Sequence, residues 1–150
     1  SSLTDEQRKQ VEDMKNKLQS AKDSAQQQQE NEQKKSERRQ EFSSEMDELE
    51  SDDLKISSAA NAEDELAMTA SSFEQWDELL SEMYDYLAGV LNADQYASEE
   101  ENYKQWVAER DSGAENAASA TEDSTQKQLA SYSFKQSYTK ARCYKLLDMM

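Results

Sequence analysis

The sequence predicts an all-α protein: an antiparallel three-helix bundle over about residues 62–150, preceded by a long polar N-terminal helix or coiled-coil stalk. Three observations carry that prediction. The 150 residues include no proline and only two glycines, so the breakers and turn formers that would join strands are missing. Apolar residues between Phe73 and Leu91 recur at spacings of three and four, the mark of a helix with one buried face. Hydrophobic residues make up 35% of the chain and its mean hydropathy is -1.16, too polar for a globule of this full length, so a compact part and a solvated part are expected.

From Thr4 to about Leu49 one heptad stays in phase through Val11, Met14, Leu18, Ala21 and Ala25, then again through Phe42, Met46 and Leu49. The same register between them reads Gln28, Glu32, Lys35 and Arg39, inside QQQQENEQKKSERRQE, which has no apolar residue. Good helix formers and opposite charges four residues apart sustain a helix there, with nothing to bury. The two apolar ends can pair with another copy as a coiled coil, fold back as a helical hairpin, or dock on the bundle. A solvated single helix or disordered stalk is the remaining option. Ser and Asp clusters in Asp47 to Asn61 predict a boundary, giving a stalk over 1–55 and a bundle domain over 56–150.

Asn61 followed by Glu63, Asp64 and Glu65 predicts an N-cap with acids in the first turn, opening a helix that runs to about Leu91. Its stripe is Phe73, Trp76, Leu80, Met83, Tyr84, Leu87, Val90 and Leu91. Asn92-Ala93-Asp94 predicts a turn and a second cap, after which Tyr96, Tyr103, Trp106, Val107 and Arg110 continue the rhythm. The two helices are expected to be antiparallel and packed face to face. Arg110 lies one turn from Trp106 and can stack on it, while Asp111 is expected to point elsewhere.

Beyond Asp111 the Ala-rich SGAENAASATEDS predicts a helix with a thin face for close packing, weakened at Gly113 and broken near Glu122-Asp123-Ser124. The last helix, from Thr125 to Met150, carries one stripe of Leu129, Tyr132, Gln136, Thr139, Cys143, Leu146 and Met150, and another of Phe134, Tyr138, Ala141 and Tyr144. Apolar residues on two sides predict a helix buried between others. Cys143 is expected to be a small buried hydrophobe. Lys135, Lys140, Arg142 and Lys145 form a basic cluster able to pair with the acidic hairpin.

Charge and residue types exclude several functions. The formal net charge is -16, from 33 acidic and 17 basic residues, which repels phosphate backbones and argues against nucleic acid as a partner. With no histidine and one cysteine, Cys/His metal centres, imidazole triads and an internal disulfide are ruled out, and no cofactor is expected. SDDLKISS lacks the glycine and closing glutamate of a calcium loop. Carboxylate pairs such as Asp77 and Glu78 arise by chance on acidic helices, and no cleft, phosphate cradle or activated nucleophile is foreseen, so the chain reads as a non-enzyme. No apolar run approaches the ~20 residues of a membrane span.

One asymmetry points to a partner. From Ile56 to Tyr103 there is no Lys or Arg, so the acids of the hairpin lack internal neutralisation. Glu78, Glu82, Asp85, Glu99 and Glu100 are the candidate residues for engaging a cationic protein, the alternative being a merely solvated face.

Three pieces in order, LLSEMYDYLAGVL at 79–91, WVAERD at 106–111 and SYTKARCYKLL at 137–147, resemble the LprI-type lysozyme-inhibitor domain of bacterial extracytoplasmic proteins. The matching positions are Leu80, Tyr84, Leu87, Trp106, Arg110, Asp111, Thr139, Arg142 and Leu146, which the resemblance implies are residues of the fold and not an inhibitory site. The chain departs from the family pattern at Tyr103, where Gln is common, in having a lone cysteine, and in Glu122-Asp123-Ser124, where a glycine turn is usual. The resemblance implies an envelope-located binding protein with lysozyme as partner. It also implies a lipoprotein, whose only membrane attachment would be a lipid anchor outside this chain, ahead of Ser1. The competing expectation is a structural adaptor that self-associates through residues 1–55.

Overall fold

The structure, a computed structural model, describes residues 2–150. Among them are four α-helices and no strand: α1 (Asp5–Asp53), α2 (Ala62–Val90), α3 (Ala93–Ser119) and α4 (Ser124–Asp148), with a 3-10 turn at Leu54–Ser58. The chain divides into two units, residues 1–38 and Arg39–Met150. The second takes in more of the chain than the 56–150 expected from the boundary in Asp47 to Asn61, because α1 continues through the Ser/Asp cluster to Asp53.

In the first unit the helix starts at a reciprocal cap: Gln7 N–H donates to Thr4 Oγ1 at 3.1 Å and Thr4 N–H donates to Gln7 Oε1 at 3.0 Å. Side-chain pairs one turn apart follow, Gln19 to Asp23 at 2.9 Å, Gln27 to Asn31 at 3.0 Å and Gln33 to Glu37 at 3.3 Å. Val11, Met14 and Leu18 are exposed along one stripe.

In the second unit the remainder of α1 enters a core. Phe42 and Met46 are fully buried in a cluster with Trp76, Leu79, Leu80, Met83, Leu87, Trp106, Cys143, Leu146 and Leu147. The second apolar end of the heptad therefore docks on the unit's own core and is not available for pairing with another copy. Four helical segments, not three, supply the core. Each fully buried large apolar side chain contributes about 1.5–3 kcal/mol. The end of α1 is pinned by Asp53, which accepts from Trp76 Nε1 at 3.0 Å, from the Ser72 hydroxyl, and from Lys140 Nζ at 2.7 Å. Burial works against the charged Lys140 amine, but its bonds to Asp53 and Glu50 outweigh it and raise its pKa.

The caps at Asn61 and Asn92 fall where the sequence puts them, and Asp123, expected only within a break, caps α4. Asn61 accepts from Asp64 N–H at 2.8 Å, Asn92 and Gln95 form a capping box at 2.8 and 3.1 Å, and Asp123 accepts from Gln126 N–H at 2.9 Å. Contacts Asp77–Arg110 and Tyr84–Glu99 run in opposite senses, so α2 and α3 are antiparallel as expected. They are not packed face to face: the closest backbone approaches are α2 against α4 and α3 against α4, and α2 and α3 meet through long side chains. The reason lies on α3. Gly113 and Ala114 offer almost no side chain, and the ring of Phe134 sits where a Cβ on Gly113 would fall, 2.1 Å from its Cζ position. Gly113 is thus required for the α3–α4 approach.

Candidate functional site

Two polar groups and an aromatic run lie between α2, α3 and α4, and they contain most of the residues the resemblance singled out. The first centres on Arg142 of α4, which donates from Nε to Tyr84 Oη at 3.0 Å and pairs through its other arm with Glu99; the Tyr84 hydroxyl donates to Glu99 at 3.0 Å. Glu99 and Arg142 are both buried. Burial, aided by the Glu99 charge and only partly opposed by Arg142, pushes the Tyr84 pKa up to about 12. Glu99, grouped from the sequence with surface acids, is therefore committed inside the fold.

The second group centres on Arg110, buried between helices. Its guanidinium lies 5.1 Å from the Trp106 ring centre and 5.3 Å from that of Phe73, so the expected stacking on Trp106 is present. It also donates to Asp77 at 3.1 Å and to Asp111 at 3.1 Å. Asp111 does not point elsewhere, because the Arg110 Nε–H needs an acceptor and the next residue supplies it. The third group is an aromatic run in which Tyr84, Tyr103, Trp106, Tyr138 and Phe134 follow one another at centroid separations of 5.1 to 5.7 Å.

The remaining signature residues are core: Leu80, Leu87, Thr139 and Leu146 are all buried. Of the basic cluster on α4, Arg142 meets the hairpin acid Glu99, whereas Lys140 pairs with Glu50 and Asp53 of α1 and Lys135 lies over the rings of Phe73 and Tyr132. Cys143 is buried, as expected; burial and the charge of Asp77 push its thiol up to about 12.

Because the long side chains hold α2 and α3 apart, a groove of about 370 Å³ opens between them. This cleft was not foreseen from residue order, because it depends on which helix lies opposite. Its walls are Leu80, Leu87, Ala88 and Leu91, three tyrosines (Tyr84, Tyr96, Tyr103) and four carboxylates (Asp77, Asp85, Glu99, Glu100), with no basic residue. Of the predicted partner-binding acids, Asp85, Glu99 and Glu100 line it. Glu78 and Glu82 lie outside it, exposed on α2. Around it the charge is one-sided. Residues 39–150 hold 25 acids and 9 bases, so the whole net charge of -16 resides in this unit, while residues 1–38 hold 8 of each.

Among the described residues, no helix is long and apolar enough to cross a membrane. No curated protein and no solved structure matches the chain. The family model described as lysozyme inhibitor LprI matches residues 56–146, which run from within the 3-10 turn to Leu146 near the end of α4 and include every signature position named above. The chain belongs to the LprI lysozyme-inhibitor family.

Proposed function

We propose that this protein is a non-enzymatic lysozyme-binding protein of the bacterial envelope, which engages its cationic partner through the acidic surface of residues 39–150. The observation that supports the reading is the confinement of the -16 charge to that unit, in a chain whose family is described by lysozyme inhibition. Five of its nine bases, Lys55, Lys104, Arg110, Lys140 and Arg142, are already paired with carboxylates of the unit itself, which leaves the excess acids to face outward. Such a field accelerates encounter with a cationic protein and orients it. Glu78, Glu82, Asp85 and Glu100 are the exposed acids placed to meet it, across the two helices of the hairpin. Family resemblance supports an extracytoplasmic, lipid-anchored setting.

The test is a lysozyme activity assay on cell-wall substrate with increasing amounts of the full chain, at low and at physiological salt. Inhibition that weakens with salt yet persists at physiological ionic strength is the expected result. Unchanged activity at both salt levels would overturn the reading.

A second reading rests on the stripe of Val11, Met14 and Leu18, all exposed on the part of α1 with balanced charge. It makes residues 1–38 a self-association element in an envelope assembly. Sedimentation of the full chain distinguishes it: a dimer abolished by Met14→Gln with Leu18→Gln supports it, and a monomer at high concentration rejects it.

A further inference from the structure

We infer that the groove between α2 and α3 receives an arginine side chain of the cationic partner, a deeper claim that rests on the binding reading above. Its occupant is defined by charge and shape. The groove is near the lower end of the about 300–1,000 Å³ typical of small-ligand sites, room enough for one extended side chain. Two of its four carboxylates are neutralised, Asp77 by Arg110 and Glu99 by Arg142. The other two are not equivalent to them. Among the described residues the Asp85 side chain makes no hydrogen bond or ion pair, and Glu100 has only an exposed Lys104 at 3.8 Å.

The same groove is lined by tyrosines that the fold leaves open. Tyr96 is 47% exposed and its ring packs on no other ring among the described residues, and Tyr103, 37% exposed, lies in the aromatic run between Tyr84 and Trp106. A face of tyrosine beside an unpaired carboxylate is the environment a guanidinium prefers, since it stacks and forks at once and holds its hydration weakly. Leu87, Ala88 and Leu91 give the aliphatic stem an apolar wall. Lysine fits the charge but uses neither the stacking nor the fork.

Two charge-matched double variants separate this site from a diffuse field. Asp85→Asn with Glu100→Gln, and Glu78→Gln with Glu82→Gln, each remove two exposed charges from the full chain. Binding to a cationic lysozyme is measured by calorimetry at physiological salt, and chemical shifts of the full chain are followed with the peptide acetyl-Gly-Arg-Gly-amide and its lysine counterpart. The groove pair, and Tyr96→Ala alone, are expected to weaken lysozyme by about tenfold or more and the outer pair by under about threefold. The arginine peptide is expected to shift groove residues more than the lysine peptide. Equal losses for the two doubles overturn the groove and leave the acidic-surface reading standing. Peptide shifts confined to the groove with no lysozyme binding sustain the groove and reject lysozyme as its partner. Shifts spread over all acidic positions reject the groove.

Discussion

Between residues 5 and 37 every side chain is exposed and the helix is held by pairs one turn apart, whereas from Phe42 onward the same helix buries its apolar residues against α2 and α4. Pairs of the first kind contribute about 0.2–0.5 kcal/mol each, and a single buried side chain contributes several times that. The two stretches also differ in charge. The solvated helix balances its acids with bases, while the packed unit carries the whole excess of negative charge and bears the repulsion. Helical appearance is therefore a poor guide to what each part does: one is a local structure with an open stripe, the other a cooperative fold with a one-signed surface.

The largest test of that contrast is Arg142→Met. It strands Glu99 in a buried site, and the expected loss is about 3–5 kcal/mol in urea unfolding, with most of it restored by adding Glu99→Leu. Next come two equivalent truncations on one helix. Met46→Ala should cost about 2–5 kcal/mol through the cavity it leaves. Leu18→Ala should stay within about 0.5 kcal/mol. A large effect at Leu18 would mean that the stripe is covered. Gly113→Ala should cost about 1–3 kcal/mol, because the new methyl must displace the Phe134 ring, and Phe134→Leu should recover part of it.

The effect confined to the narrowest range of conditions is a pH dependence. Tyr84 is held neutral up to about pH 12 in the fold against about 10 when unfolded. Between those values the native state keeps a proton that the unfolded state has lost, so stability is fully present below pH 10 and falls as pH rises through 12. Tyr84→Phe should flatten that part of the alkaline unfolding curve.

Much of this was readable from residue order. The caps at Asn61 and Asn92 need only a short polar side chain ahead of a helix, and the stripe from Trp76 to Leu87 needs only its spacing. What could not be read depends on which helix lies opposite. Nothing local distinguishes Glu99 from Glu100, yet one faces Arg142 from 43 positions away and the other faces solvent. Asp53 sits in a run of Ser and Asp that looks like a linker, and becomes an anchor only because Trp76 and Lys140 meet it. Gly113 reads as a weak point in a helix and is instead where the Phe134 ring of α4 packs against bare backbone. The groove likewise depends on which helices meet, since α2 and α3 each pack on α4 while long side chains span the space between them.

The central claim is that binding belongs to the packed, acidic unit and not to the solvated helix. Its most direct test is a calorimetric titration of a cationic lysozyme into the full chain and into a chain beginning at Arg39, a start that retains Phe42 and Met46, at physiological salt. The account predicts the same affinity and stoichiometry for both. Binding by the full chain that disappears when residues 1–38 are removed, with the remaining unit still folded by circular dichroism, would contradict it.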